Sequence, residues 1–330
     1  MLIIVDGPTC AGKSTLSEQL AGYLREFSRD ITFVHKSQPQ VLNRRWVLKD
    51  YVLEHETYQP GISFDMLADR WHFGEATYAR LYRPDTDKDG FGLLGVAGWR
   101  WVELFLLSRG ALGIRLDADN QTLVDRLHTR GDDHVADAET LIRVADAYRS
   151  AGAYSPSTQL VFDTTRAELE PINLDDIYFA ALAAEALPAE ILGHTPEYVG
   201  NPRPDVLLVG DKRNVTKKYG NETMLPFMPV DQSSGVWLLE SLPEDLWPRI
   251  GMVNGNDMTG DLRQLWELLG RPRPVALGNQ AEKALLRAEF DPMEFSLVKH
   301  PAHARRFDHS NKVEYGQSIA EAELLKGTYA

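Results

Sequence analysis

Leu2-Ile3-Ile4-Val5-Asp6-Gly7-Pro8-Thr9-Cys10-Ala11-Gly12-Lys13-Ser14-Thr15 joins an apolar run to a glycine-bounded loop and a Lys-Ser-Thr step. The apolar run reads as a buried strand, and Leu16, Leu20 and Leu24 follow at helical spacing. A strand, a glycine-rich loop and a helix in this order form a phosphate cradle. Glycines at both ends of Gly7-Pro8-Thr9-Cys10-Ala11-Gly12 let successive backbone N–H groups face phosphate oxygens. Lys13 then reaches the β/γ-phosphates and Ser14 offers its hydroxyl to Mg²⁺. Residues Gly7 to Thr15 are therefore the expected nucleoside triphosphate site, with Mg²⁺ at Ser14.

Composition bounds what surrounds this loop. At 330 residues the chain exceeds the usual span of one hydrophobic core, so two domains are expected. Its 43% hydrophobic and 25% charged residues are ordinary for a globular protein. No apolar segment has the length of a membrane span, and the first residues enter a strand directly, so a cytoplasmic protein with no membrane partner is expected. The single cysteine, Cys10, excludes an internal disulfide and a cysteine-based metal site. The net charge of −13 is uneven. Residues 1–202 carry 19 Lys+Arg against 30 Asp+Glu, and the remainder 16 against 18. The near-neutral second part can therefore present a local basic face, with Lys212, Arg213, Lys217 and Lys218 in one cluster and His303, Arg305, Arg306 and His309 in another. A solvated mixed surface is the alternative reading of these clusters. Oligomeric state is not legible.

Pro188, Gly193, Pro196, Gly200, Pro202 and Pro204 accumulate between Leu187 and Pro204, which predicts a joint. The expected division is a first domain at 1–187, a linker at 188–204 and a second domain at 205–330. In the first part, strands at Leu2–Val5, Ile31–Val34, near Ile62–Leu67, Gly113–Leu116 and Leu160–Asp163 alternate with helices at Ser14–Phe27, Arg100–Ser108, Asn120–Arg130 and Ala138–Ala151. This α/β alternation predicts a parallel sheet with helices on both faces and ligands at the carboxyl ends of its strands. A second, smaller α/β alternation begins at Asp205 and runs to Val298.

Asp69-Arg70 follows an apolar stretch, and such a pair suits phosphoryl transfer. Arginine offers a planar fork to phosphate oxygens, and a carboxylate can serve the metal shell or take a hydroxyl proton. The phosphate loop, Asp69-Arg70, the Asp125-Arg126-Leu127-His128-Thr129-Arg130-Gly131-Asp132 stretch and Val161-Phe162-Asp163-Thr164-Thr165 together resemble thymidylate kinase-like P-loop kinases over about residues 1–190. The resemblance implies that Arg126 and Arg130 belong to a lid or clamp over the transferring phosphate. Two departures, Asp6-Gly7-Pro8-Thr9 at the loop entry and the aromatic run Trp71-His72-Phe73, leave ATP binding intact and the acceptor open. A structural ion pair at Asp69-Arg70 and solvated arginines at Arg126 and Arg130 are the alternatives.

The second part resembles the uracil-DNA glycosylase superfamily over about residues 205–310. The resemblance rests on Leu207-Leu208-Val209-Gly210-Asp211, Leu225-Pro226-Phe227, Ser233-Ser234-Gly235, Val275-Ala276-Leu277-Gly278-Asn279 and Lys299-His300-Pro301 with Arg305 following. It implies that Gly210, Asp211, Lys212, Arg213, His300 and Arg305 face a base or DNA, with His300 beside a flipped base. Asp211-Lys212-Arg213-Asn214 departs from the superfamily's first motif, which leaves a water-positioning role for Asp211 open. The two halves together resemble viral 5-hydroxymethyluracil DNA kinases. That resemblance implies phosphorylation of the hydroxymethyl group of 5-hydroxymethyluracil in phage DNA, during thymine hypermodification. Asp69 becomes the base for the hydroxymethyl proton, with Lys13, Arg70, Arg126 and Arg130 around the transferred group. Two alternatives stand beside it. One is a deoxynucleoside monophosphate kinase in which Arg70 grips the acceptor phosphate. The other is a DNA-base-binding or glycosylase-type protein with a regulatory nucleotide site.

Overall fold

The computed structural model describes residues 1–27, 30–36, 47–48, 51, 65–87, 89–130, 135, 137–166, 171–212, 225–230, 233–256, 258, 260–307 and 311–324. Arg213, Lys217, Lys218, His309 and the Gly131-Asp132 step lie outside them. The chain forms two compact units, Met1–Gly95 with Gly110–Ala186, and Val96–Arg109 with Leu187–Ala330.

In chain order the first elements are β1 (Leu2–Asp6), α1 (Lys13–Glu26), β2 (Ile31–His35), β3 (Asp65–Asp69), α2 (Phe73–Tyr82), α3 (Gly95–Ser108), β4 (Ala111–Asp117), α4 (Asn120–Arg130), α5 (Ala138–Gly152), β5 (Thr158–Asp163) and α6 (Leu174–His194). The first unit holds a five-stranded sheet ordered β2-β3-β1-β4-β5, and every pair in it is parallel. β1 lies at the centre and is buried throughout, as a strand covered on both faces must be. Leu16, Leu20, Ala21 and Leu24 of α1, Leu123 and Leu127 of α4, and Leu141 and Ala145 of α5 close one apolar cluster with Ile3, Val5, Ile114 and Leu116. Asp137 caps α5 by accepting from the Thr140 N–H, which satisfies one orphan donor of the first turn.

Three features depart from the sequence expectation. The third strand is Asp65–Asp69, which carries Asp69 to its carboxyl end beside Val5 of β1. Residues 188–204 are no simple linker, because α6 runs unbroken to His194 through Pro188 and Val199–Gly200 forms a strand. The Ala-rich run Ala180-Ala181-Leu182-Ala183-Ala184-Glu185-Ala186 carries the helix past a proline that removes only one hydrogen bond. Finally, α3 belongs to the second unit although strands of the first flank it in sequence.

The second unit continues with β6 (Val199–Gly200), β7 (Val206–Gly210), α7 (Ser234–Ser241), β8 (Ile250–Asn254), α8 (Leu262–Leu268), β9 (Arg273–Leu277), α9 (Asn279–Arg287), β10 (Ser296–Val298), α10 (Pro301–Phe307) and α11 (Lys312–Leu324). Its sheet is ordered β10-β9-β7-β8-β6, with β6 antiparallel to β8 and the other pairs parallel. α3 is apolar nearly all round, and Trp99, Trp101, Val102, Leu104, Phe105 and Leu106 are buried. Side-chain donors in and just after it reach backbone carbonyls of the second unit. Arg100 donates to the carbonyls of Leu239 (2.6 Å) and Leu242 (2.8 Å) at the end of α7, and also pairs with Glu244. The Trp101 indole donates to Pro226 O at 3.0 Å, and Arg109 to Tyr198 O at 3.1 Å. Among the described residues no helix is long and apolar enough to cross a membrane.

Candidate functional site

The loop after β1 supplies the first site. A Cβ on Gly7 would lie 2.4 Å from Leu116 O, and the φ of +151° also favours glycine, so the loop approaches β4 closely here. At Gly12, with φ +93°, a Cβ would meet nothing within 4 Å, which leaves a cradle open at the start of α1. Cys10 holds a left-handed φ of 67° without being glycine, a strain that loops of this kind store at the point of binding. α1 begins at Lys13, so its free N–H groups and positive dipole end sit at the cradle.

Charge converges on this cradle. Lys13 is buried and donates from Nζ to Pro8 O at 2.7 Å. Its ammonium is pushed down to about 8, first by burial and then by the nearby Arg70 guanidinium. The carboxylates of Asp69 and Asp6 act on it in the opposite direction. Asp6 is pushed up to about 6 by burial, against the lowering effects of His72 and Lys13, and its Oδ2 accepts from Trp71 N at 2.9 Å. Arg70 sits at φ +68°, a left-handed turn that the exit from β3 imposes. Thr9 meets the Tyr78 hydroxyl at 3.2 Å, tying the loop to α2.

Asp69 ends β3 and its carboxylate is buried. Its Oδ2 accepts from the Ser14 hydroxyl at 3.3 Å and lies 3.2 Å from His35 Nδ1. Its Oδ1 is buried with no hydrogen-bond partner among the described residues. An orphaned carboxylate oxygen beside a serine hydroxyl suits a hydrated magnesium ion, which prefers oxygen ligands and keeps part of its water shell. Among the described residues no group of three or more His, Cys, Asp and Glu could hold a metal, so Ser14 with bound phosphates is the donor set that fits.

A cavity of about 1080 Å³ opens beside the loop, walled by α1 (Thr15, Gln19, Tyr23), α4 (Arg126, Arg130) and Thr164 with Ile172. Arg126 is anchored in its wall. Its guanidinium donates to Cys10 O (3.3 Å), Thr164 Oγ1 (3.2 Å) and Thr164 O (2.6 Å). Thr164 in turn donates to Ala11 O at 3.0 Å. Sequence reading assigned no role to this threonine at the end of β5. It clamps the loop through Arg126, and no motif marks it because the partners are 38 and 153 residues away. Arg130 is exposed at the end of α4 and lines the cavity mouth.

The second unit gathers a different set at the carboxyl ends of its strands. A Cβ on Gly210 would lie 2.7 Å from the Phe227 ring and 2.8 Å from Asn254 Oδ1, so the missing side chain lets ring and amide come together. Phe227 takes a left-handed φ of 50°, and Asn254 is buried at the end of β8. His300 accepts from Ala302 N on Nδ1 at 3.1 Å, which leaves Nε2 as the donor of the neutral ring. Burial lowers its pKa, partly offset by Asp211, so the neutral form prevails at pH 7. Asp211 lies in the field of His300, and its carboxylate accepts from Asn256 Nδ2 at 2.6 Å, while Asn256 accepts from Arg287. Lys212 is exposed, and Arg305 is partly buried on α10. The sequence marks Leu225-Pro226-Phe227 as a motif but not the approach of Phe227 to Gly210, and nothing in it marks Asn254. A strand-terminal asparagine carries no signal until the sheet places it next to Gly210.

No protein-family model and no curated protein matches this sequence. Among solved structures, the YorR protein of Bacillus subtilis in complex with phosphorylated GDP aligns over 54% of this chain and 94% of its own, at 20% identity and a TM-score of 0.43. A likeness this remote leaves the assignment to the residues themselves.

Proposed function

We propose that the first unit is an ATP-dependent phosphotransferase and that its acceptor is the hydroxymethyl group of 5-hydroxymethyluracil in DNA. The observation that carries the donor half is the convergence of Lys13, Arg70 and the α1 N-terminus on an open glycine cradle. Positive charge held in place at the cradle before phosphates arrive stabilises the charge that develops on a transferred group. Lys13 and Arg70 neutralise charge on the transferred group, and Arg126 holds the Cys10 carbonyl of the loop. Ser14 would hold a Mg²⁺ ion there, which would supply further charge neutralisation. Asp69 holds the Ser14 hydroxyl in place.

The acceptor half draws on the second unit. An aromatic ring at Phe227, a buried amide at Asn254 and an imidazole donor at His300 are the groups that recognise a planar base with amide-like edges. Asp211 is already engaged with Asn256, so this unit is read as a base-binding module and not as a hydrolase. The test is transfer of label from γ-labelled ATP to duplexes containing either 5-hydroxymethyluracil or thymine, and to free deoxynucleoside monophosphates. Label in the hydroxymethyluracil duplex alone is the expected result. Label only in free monophosphates replaces this reading with a nucleotide kinase in which Arg70 grips the acceptor phosphate.

A further inference from the structure

We infer that His35 is the catalytic base of the first unit, accepting the proton of an acceptor hydroxyl, and that Asp69 is its positioning partner. The inference rests on the phosphotransferase reading above and moves the base from Asp69 to its neighbour. Asp69 is poorly placed to take a substrate proton. Its side chain is 3% exposed, and the one oxygen with partners is shared by Ser14 and His35. The His35 side chain is 49% exposed at the carboxyl end of β2. A general base needs an accessible lone pair, and of the two groups the half-exposed imidazole offers one.

The sheet itself builds the pair. His35 is in register with Asp69 across β2 and β3, and Asp69 in register with Val5 of β1, so no loop is needed to bring them together. The buried carboxylate selects the tautomer, because Nδ1–H donating to Oδ2 leaves the Nε2 lone pair facing outward. A carboxylate orienting an imidazole that activates a hydroxyl is a recurrent arrangement for nucleophile activation. The same carboxylate holds Ser14 at the phosphate cradle, so one oxygen ties the base to the donor end of the site.

This pair also selects a class of acceptor. A hydroxyl carries a proton that must leave as its oxygen attacks, whereas a phosphate monoester near pH 7 presents an oxygen already free of one. In the step, the substrate O–H bond breaks and its proton goes to Nε2. The new O–P bond forms at the γ-phosphorus. The bond between that phosphorus and the β–γ bridging oxygen breaks, its electron pair leaving with ADP. The half-exposed imidazolium then returns its proton to water.

The experiment uses the full chain, γ-labelled ATP and the hydroxymethyluracil duplex. His35→Ala is expected to lower kcat about 10²- to 10³-fold. Its KM for ATP stays within about twofold of the parent value, since His35 lies on β2 and outside the phosphate loop. His35→Asn keeps an N–H for Asp69 but has no basic nitrogen, and is expected to fall as far. Added imidazole is expected to restore part of the His35→Ala rate and none of the His35→Asn rate. Parent-like kcat in His35→Asn overturns the inference, because a hydrogen bond to Asp69 is then all that the position supplies. Parent chain that labels no acceptor overturns the phosphotransferase reading as well, a result visible before any variant is made.

Discussion

The two units meet the same architectural opportunity with opposite chemistry. Each places its candidate site at the carboxyl ends of parallel strands, and each bends non-glycine backbone into the left-handed region there, at Cys10 and Arg70 in the first and at Phe227 in the second. In the first unit those ends hold Lys13, Asp6, Asp69 and Arg70, buried charges that shift one another. In the second they hold an aromatic ring, an amide and a neutral imidazole, and Asp211 beside them is hydrogen-bonded to Asn256. The difference teaches that a parallel sheet supplies a place, while the side chains delivered to it decide the chemistry.

Removing charge from the first site is therefore expected to have the largest effect. Lys13→Ala should lower labelled-phosphate transfer by about 10³-fold or more, as loss of a preorganised cation at a developing charge does. Turnover near the parent level in a transfer assay would break the comparison outright. The second unit should instead be most sensitive where its inserted helix is anchored. Arg100→Ala strands the Leu239 and Leu242 carbonyls and is expected to cost about 2–4 kcal/mol of second-unit stability. Limited proteolysis and urea unfolding measure this, and unchanged protection would mean that α3 is a passenger.

A pH experiment sharpens the contrast further. Asp6 has a folded pKa of about 6 against an ordinary 3.8, so its contribution is fully present below about pH 4 and is lost as pH rises through 6. The first unit should lose on the order of 2 kcal/mol across that window from this group, and Asp6→Asn should flatten the change. Thermal midpoints between pH 4 and pH 7 give the comparison, and an equally steep Asp6→Asn profile would reassign the charge strain elsewhere. The smallest effect is expected in the second site. Asn254→Ala should weaken binding to hydroxymethyluracil duplex by roughly tenfold, about the worth of one base-edge contact, and leave ATP binding unaltered. Fluorescence anisotropy with labelled duplex and, separately, with labelled ATP reads both.

The local elements were largely legible. β1, the loop and α1 are a contiguous conformational unit, and apolar patterning located the other strands of both sheets within a few residues, β6 apart. α2 was missed because its residues were read for chemistry, and α6 because Pro188 and Gly193 look like breakers. α10 was hidden behind a His-Pro segment, and α11 carries no strong periodic stripe. Of the site residues, those in the phosphate loop were visible, since backbone conformation there is written in glycines. His35, Thr164 and Asn254 were not, because each acquires its role from a neighbour on another strand or loop.

From the sequence alone follow a glycine-bounded phosphate-loop pattern at Gly7–Ser14, an acid-arginine step at Asp69-Arg70 and two α/β alternations. All are statements about residues adjacent in the chain, where sterics and periodicity act directly. The tertiary structure alone decided that α3 is packed into the second unit, that Asp69 is shared by Ser14 and His35, and that Arg126 and Thr164 lock the loop. Strand order and burial set these, and they depend on which distant segments exclude water together.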